Sequence, residues 1–322
     1  MKAVALKHTG TPEVLTVSEV TKPKAKPGWI LIEVKAFGLN RSELMMREYE
    51  GDAPYIQLPR ILGIECVGII EDSSDSHFKR GQKVVALMGG MGRSFDGSYA
   101  EYALIPTKNV FSVNTDLSWE ELAAIPESYY TAWGSLFESL QLKSDDILLI
   151  RGGTSAAGLA AIQLAKATGT TVLASTRKEN KKALLLETGA DYVLIDNGTL
   201  KQQLYSLYPQ GITKVLELIG PVTLFESLSL VKKNGIVCMT GILGKKTTID
   251  NFYPIKDIPS GVYLTGFVSN TPTQNAIDLM FSLINKHQLK PRIAAVFPME
   301  DIAIAHQLME DNLANGKVII TL

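Results

Sequence analysis

A chain of 322 residues is long for one domain and comfortable for two, and a composition that is 46% hydrophobic and 20% charged supplies enough apolar material for a proper core. Thirty-two basic residues against thirty-three acidic ones leave a formal net charge of −1. That balance argues against a nucleic-acid binder held by phosphate neutralisation. The two cysteines, Cys66 and Cys238, lie far apart, which argues against a disulfide framework and agrees with a reduced, cytoplasmic setting. The opening segment Met1–Lys7 has no apolar run of signal-peptide length, and no stretch of about 18 consecutive apolar residues is present to span a membrane.

The first ~125 residues read as β-rich. Short runs at Trp29–Ala36, Ile64–Glu71, Gln82–Leu87 and Ser98–Ile105 are separated by turn signals such as Lys26-Pro27-Gly28 and Lys79-Arg80-Gly81. Strands at this spacing, without intervening helices, predict a compact barrel-like unit. The rhythm changes near residue 119, where Ser118 and Glu121 stand at capping-box spacing before a helix over Trp119–Ile125. From there to about 268, apolar strands alternate with helices. Strands are predicted at Ile147–Arg151, Thr171–Ser175, Tyr192–Ile195, Lys214–Leu218, Gly235–Thr240 and Val262–Phe267. Helices are predicted at Ala156–Thr168, Asn180–Glu187 and Phe225–Val231. Such alternation predicts an α/β fold, a doubly wound parallel sheet with helices on both faces. The remaining residues predict a helix over Gln274–Lys286, a short one over Asp301–Glu310 and a closing strand over Lys317–Leu322.

The strand Ile147–Arg151 runs directly into Gly152-Gly153-Thr154-Ser155-Ala156-Ala157-Gly158, and a helix follows at once. A dinucleotide pyrophosphate needs such a place, because the free N–H groups and the dipole at a helix N-terminus favour negative charge. Small residues allow the tight turn and the close approach. The same run without its context is an ordinary surface turn, but here the strand before it and the helix after it agree. Ser155 stands where a glycine would ease phosphate approach, and its hydroxyl offers a donor.

The end of the next strand distinguishes between the two nicotinamide cofactors. An NAD site places Asp or Glu there to accept from the ribose hydroxyls. This chain has Ser175-Thr176-Arg177-Lys178 instead. Two hydroxyls followed by two cations suit a 2′-phosphate, and the missing acid weighs more than the basic residues. The expected cofactor is NADPH.

Several stretches carry a likeness. They are Ala36–Ser42 (AFGLNRS), Gly63–Gly68 (GIECVG), Gly97–Tyr102 (GSYAEY), Leu186–Val193 (LETGADYV), Gly316–Ile320 (GKVII) and the glycine-rich turn. Together with the order of the two units, the chain resembles the medium-chain dehydrogenase/reductase superfamily, and within it the zinc-free, zeta-crystallin-like quinone oxidoreductases. The resemblance implies a GroES-like β-barrel catalytic domain over residues 1–124, a Rossmann-type dinucleotide-binding domain over 125–268, and a return segment, 269–322, that completes the first domain. It also implies a homodimer formed through the edge strand Val262–Phe267.

Zinc alcohol dehydrogenases of that superfamily usually carry a cysteine where this chain has Asn40 and a histidine where it has Ile64. Glu65 remains, but a catalytic zinc needs about three protein ligands. The lobe with four closely spaced cysteines is also absent. His8, His77, His287 and His306 show no metal-ligand spacing, and the two cysteines read as small buried hydrophobes. No metal is expected.

Without a metal to polarise a plain ketone, an acceptor already activated by conjugation is the expected substrate, a quinone or an α,β-unsaturated carbonyl. The resemblance places Asn40 in the loop facing the nicotinamide, which makes its amide the first candidate donor; a turn-stabilising role is the alternative. It places Thr131 where the domain-linking helix approaches the cofactor. Tyr129 and Tyr130 stack on a planar substrate, donate a phenolic hydrogen bond or simply pack. Tyr55 and Arg41 are further candidates. Gly241 in Gly241–Gly244, and Phe267 and Ser269 at the last strand exit, are expected at the cofactor. The segments Met88–Gly92 and Ser94–Asp96 read as a glycine-rich loop, either a cover over a site or an idle surface turn. The leading reading is therefore an NADPH-dependent reductase of quinones or enones. The competing reading is an NADPH-binding protein with a structural or sensory role.

Overall fold

A computed structural model describes residues 1–322. The chain divides into two compact units, Met1–Tyr130 together with Ser269–Leu322, and Thr131–Val268.

The first unit begins with β1 (Lys2–Leu6) and β2 (Val17–Glu19), which pair antiparallel. Next come β3 (Trp29–Gly38), α1 (Arg41–Glu48), β4 (Arg60–Ile61), β5 (Glu65–Asp72), β6 (Lys83–Leu87), β7 (Tyr102–Pro106) and β8 (Val110–Ser112). Helices α2 (Trp119–Ala123) and α3 (Pro126–Trp133) close this part of the chain. Strand β3 is the hub, since β5, β7 and the C-terminal strand all pair with it antiparallel. Its Ile30, Ile32, Val34 and Phe37 enter one apolar core, where Phe37 stacks on Tyr99 with ring centroids 4.7 Å apart.

The strand expected over Ser98–Ile105 begins only at Tyr102. Before it, Tyr99 donates its N–H to Leu62 and accepts from Val4 N, so that the segment bridges to β1 before it joins β3. The glycine-rich loop at 88–96 is held in place. Met91 is buried, and Asp96 accepts from Arg60 and from Ile61 N at 3.0 and 3.1 Å.

The second unit opens with a π-helical turn, Gly134–Ser139. Strands β9 (Ile147–Arg151), β10 (Thr171–Thr176), β11 (Tyr192–Ile195), β12 (Ile212–Glu217), β13 (Val231–Met239) and β14 (Tyr263–Gly266) form a sheet in the order β11-β10-β9-β12-β13-β14. Every pairing in it is parallel. The connecting helices are α4 (Ala156–Ala167), α5 (Lys182–Thr188), α6 (Leu200–Leu207), α7 (Leu224–Leu230) and a single turn, α8 (Pro254–Asp257). The strand order, reversing between β9 and β12, is that of a Rossmann-type doubly wound fold, in which ligands bind where the reversal opens a crevice. The helix expected from Asn180 opens as a 3-10 turn over Glu179–Lys181 and becomes α-helical at Lys182.

The chain then returns to the first unit with α9 (Gln274–His287), β15 (Ile293–Pro298), α10 (Ile302–Glu310) and β16 (Lys317–Thr321). Strand β16 lies between β15 and β3 and completes a sheet in the order β15-β16-β3-β5-β6-β8. The architecture is thus a GroES-like β unit and a Rossmann-type nucleotide unit.

Candidate functional site

In the nucleotide unit, Gly152 has φ +89°, a left-handed conformation that favours glycine. A Cβ on Gly158 would stand 2.6 Å from Gly152 O, so only glycine lets α4 start this close to the turn. Gly152 N donates to Ser175 Oγ at 3.3 Å and Gly153 N donates to Ser175 O at 3.0 Å, which fastens the turn to the end of β10.

Ser155, expected to offer its hydroxyl to a phosphate, is the N-cap of α4. Its Oγ accepts from Gly158 N at 3.1 Å and donates to Gly152 O at 2.9 Å. The reason is local: a hydroxyl at the N-cap satisfies a backbone N–H that the helix leaves without a partner. The half-buried Thr154, Ala156 and Ala157 line the rest of the turn, and the first-turn N–H groups of Ala156 and Ala157 have no acceptor within the helix.

Below the turn, Arg151 at the end of β9 is almost wholly buried. It donates to both Asp196 oxygens at 2.8 and 3.0 Å, to Glu226 at 2.5 Å and to Ser227 Oγ at 3.2 Å. Glu217, at the end of β12, accepts from Ser227 Oγ and from the backbone of Ile219 and Gly220. Burial pushes its carboxyl above the ordinary range against the pull of Ser227, Gly220 and Arg151. This network ties the ends of β9, β11 and β12 to α7 and gives the turn a rigid base. From the sequence alone Arg151 is only the end of a strand.

At the end of β10, Ser175 and Thr176 are buried, and Thr176 Oγ1 accepts from Lys178 N at 3.2 Å. Arg177 and Lys178 are exposed, and neither has a carboxylate within ion-pair distance. Lys181, which the sequence reading passed over, joins them. Burial and then repulsion by Lys178 and Arg177 hold its ammonium below the ordinary value. Three cations without a carboxylate at ion-pair distance thus gather at this strand end. A periodicity of three or four residues from Arg177 and Lys178 is the signal that would have found Lys181. At the other strand exits, Gly241 N donates to Glu217 O, and the ring of the half-buried Phe267 lies against Gly134.

The β unit holds a second polar centre. Asn40 is the N-cap of α1, in a capping box with Glu43. Its Nδ2 donates to Glu65 Oε1 at 2.8 Å, and its Oδ1 accepts from Lys317 Nζ at 2.6 Å. Lys317 also meets Glu65 Oε1 at 2.6 Å and donates to Ser128 Oγ at 3.1 Å. Glu65 Oε2 accepts from Glu127 N at 2.7 Å, a carboxylate seated at the N-terminus of α3 where the helix dipole favours it. Burial, and after it the Glu65 charge, push the Glu43 carboxyl above the ordinary range.

Asn40 therefore has the turn-stabilising role among those its sequence position left open, since its amide is bound on both sides within the chain. The other expected residues are more dispersed. Tyr129 is buried, which pushes its phenol upward. Tyr130 donates to Thr271 O at 3.5 Å, and Thr131 O accepts from Ser135 Oγ at 2.7 Å. Tyr55 is 71% exposed and donates to Glu50 at 3.3 Å. Ser269 is buried and donates to Glu127 Oε1 at 2.7 Å, a position in the β unit. Arg41 reaches Asn312.

The donor set does not suit zinc. Asn40 offers an amide oxygen already occupied by Lys317, Ile64 offers nothing, and the Glu65 carboxylate is paired with the same ammonium.

Two family models match the chain: one described as alcohol dehydrogenase GroES-like domain over residues 26–115, and one described as zinc-binding dehydrogenase over residues 156–286. The quinone oxidoreductase of Lama guanicoe is 30% identical over all of this chain and 98% of its own length, and that of Homo sapiens is 29% identical with the same coverage. The crystal structure of an NAD-dependent alcohol dehydrogenase, 25% identical, covers all of both chains with a TM-score of 0.89. The carboxyl-edge turn of a parallel sheet, the antiparallel β unit and these likenesses agree, and the chain belongs to the oxidoreductases of the medium-chain dehydrogenase/reductase superfamily, in its quinone oxidoreductase branch.

Proposed function

We propose that the chain is an NADPH-dependent, zinc-independent oxidoreductase acting on a quinone or an α,β-unsaturated carbonyl. The observation that carries the cofactor preference is the trio Arg177, Lys178 and Lys181 at the end of β10, where no carboxylate stands to receive ribose hydroxyls. The turn Gly152–Gly158 fits a pyrophosphate, because its glycines clear the backbone and the first-turn N–H groups of α4 are free of helical partners. Bound there, the cofactor would supply a hydride.

The chain's residues do the rest. Arg177, Lys178 and Lys181 neutralise the 2′-phosphate, and Arg151 keeps the turn fixed through Asp196 and Glu226. Asn40 remains the donor we assign to the acceptor oxygen, through the amide hydrogen whose contacts within the chain, Gly38 O and Glu43 Oε1, are long at 3.4 Å. Thr131 is the second candidate contact. A conjugated acceptor needs only such hydrogen bonds as charge builds on its oxygen.

Steady-state rates with NADPH and NADH against a panel of quinones and alkenals test the reading. Arg177→Ala combined with Lys178→Ala should raise KM for NADPH by roughly ten- to a hundredfold, the scale of one or two lost charge-assisted bonds, and leave NADH kinetics nearly unchanged. Equal use of both cofactors by the unaltered chain would remove the NADPH preference. An absence of turnover with every activated acceptor would remove the substrate class.

We also propose a homodimer through β14. It is the outer strand of its sheet, and Tyr263 on it is 58% exposed. Light scattering coupled to gel filtration should give twice the chain mass.

A further inference from the structure

The family description that matches residues 156–286 names zinc, and the residues of the β unit do not accommodate it. Lys317 Nζ is surrounded by three oxygens from three separate elements. These are Glu65 Oε1 at 2.6 Å from β5, Asn40 Oδ1 at 2.6 Å from the start of α1, and Ser128 Oγ at 3.1 Å from α3. Lys317 and Glu65 are almost completely buried, and Glu43, a second buried carboxylate, stands beside them.

The lysine stem reaches this place across Gly38. A Cβ there would collide with Lys317 Cε and stand 2.8 Å from both Glu65 Oε1 and Ala123 O. The glycine is therefore a cradle for the lysine, on the strand that pairs with β16. The Glu65 carboxylate and the Lys317 ammonium are thus paired in the interior, with the Glu43 carboxyl beside them.

We infer that the Lys317 ammonium is a resident, chain-borne cation occupying an oxygen-lined cation site, and that its presence keeps diffusible divalent metal out of the β unit. The donor set is hard: one carboxylate, one amide oxygen and one hydroxyl. Two of the three distances lie at the upper edge of calcium–oxygen bonds, roughly 2.3–2.6 Å, and Ser128 Oγ, at 3.1 Å, would have to close by about 0.5 Å on an oxygen-preferring divalent ion. The inference concerns the β unit alone and stands whether or not the cofactor reading holds.

The test uses the full chain and Mn2+, whose free-ion electron paramagnetic resonance signal disappears on binding. The unaltered chain should leave the signal intact at equimolar metal, and Lys317→Arg, which keeps the charge, should do the same. Lys317→Ala, checked for unchanged far-ultraviolet circular dichroism, should bind one Mn2+ per chain and melt at a higher temperature with the metal than without it. Lys317→Ala combined with Glu65→Gln should lose that binding, which separates this site from adventitious surface binding.

Stoichiometric Mn2+ on the unaltered chain that Glu65→Gln abolishes would overturn the inference. So would a folded Lys317→Ala chain that binds none. If neither Lys317→Ala nor Lys317→Ser folds even with Mn2+ present, a diffusible cation cannot replace the ammonium, and the inference falls.

Discussion

His306 on α10 is fully buried, with Tyr99 Oη 2.9 Å from its Nε2 and no partner for its Nδ1. Burial, and after it the charge of Arg47, push the imidazole down to about 3. Between that value and the ordinary histidine range the unfolded chain binds a proton that the folded chain refuses. Stability is therefore complete above about pH 6.5 and falls as the solution is acidified, by at most about 1.4 kcal/mol per pH unit. Urea midpoints measured from pH 7 to pH 4 should decline along this slope. His306→Gln, which does not titrate, should lower the midpoint at pH 7 and flatten the decline. An acid limb as steep in the variant as in the parent would assign the effect to other groups.

Residues of this kind mark the boundary of what the sequence makes legible. The glycine turn and the missing acid after β10 are local patterns, and they were readable. The burial of Lys317 was not, because a lysine at the start of an apolar strand reads as a solvated end. Only the arrival of β5, α1 and α3 around it reveals the partners that make burial tolerable. Arg151 was hidden in the same way, since Asp196, Glu226 and Ser227 lie 45 to 76 residues away.

Among the elements, α4 shows how much one cap controls. Ser155 accepts from Gly158 N and donates to Gly152 O, so a single side chain joins helix to turn. Ser155→Ala should cost about 1 kcal/mol, the usual loss of an N-cap, and lower the calorimetric melting temperature by a few degrees. An unchanged melting temperature would mean that the turn holds without its cap. Helix α2 carries the capping box read at Ser118 and Glu121. Helix α1 has a box of the same spacing, Asn40 and Glu43, but it buries Glu43 and Arg47 beside Leu44 and Met46, so no apolar stripe marks it in the sequence. Strand β15 is hard to read in the sequence for a different reason. Strand β15 alternates half-buried and exposed positions throughout, so its pattern lacks a strong apolar face.

Over the whole molecule, the β unit is assembled from two distant stretches, Met1–Tyr130 and Ser269–Leu322. Strand β16 fills the gap between β3 and β15 and brings Lys317 to Glu65. Removing residues 317–322 should leave the edge of β3 open and the buried Glu65 carboxylate without its cation, a loss of several kcal/mol. Soluble yield should collapse, and limited proteolysis should cut the β unit before the nucleotide unit. A truncated chain as protease-resistant as the parent would show that β16 is dispensable.

The same placement sets an order of events on the ribosome. Glu65 is synthesised some 250 residues before Lys317, which at about 5–20 residues per second is a wait of tens of seconds. Meanwhile the contiguous nucleotide unit can form its sheet from strands already made. The β unit must stay open, its core strand β3 lacking a neighbour, until the final segment emerges. Closure then brings the last strand and the missing positive charge together, so a chain released too early is recognisable to the cell by its unpaired strand edge.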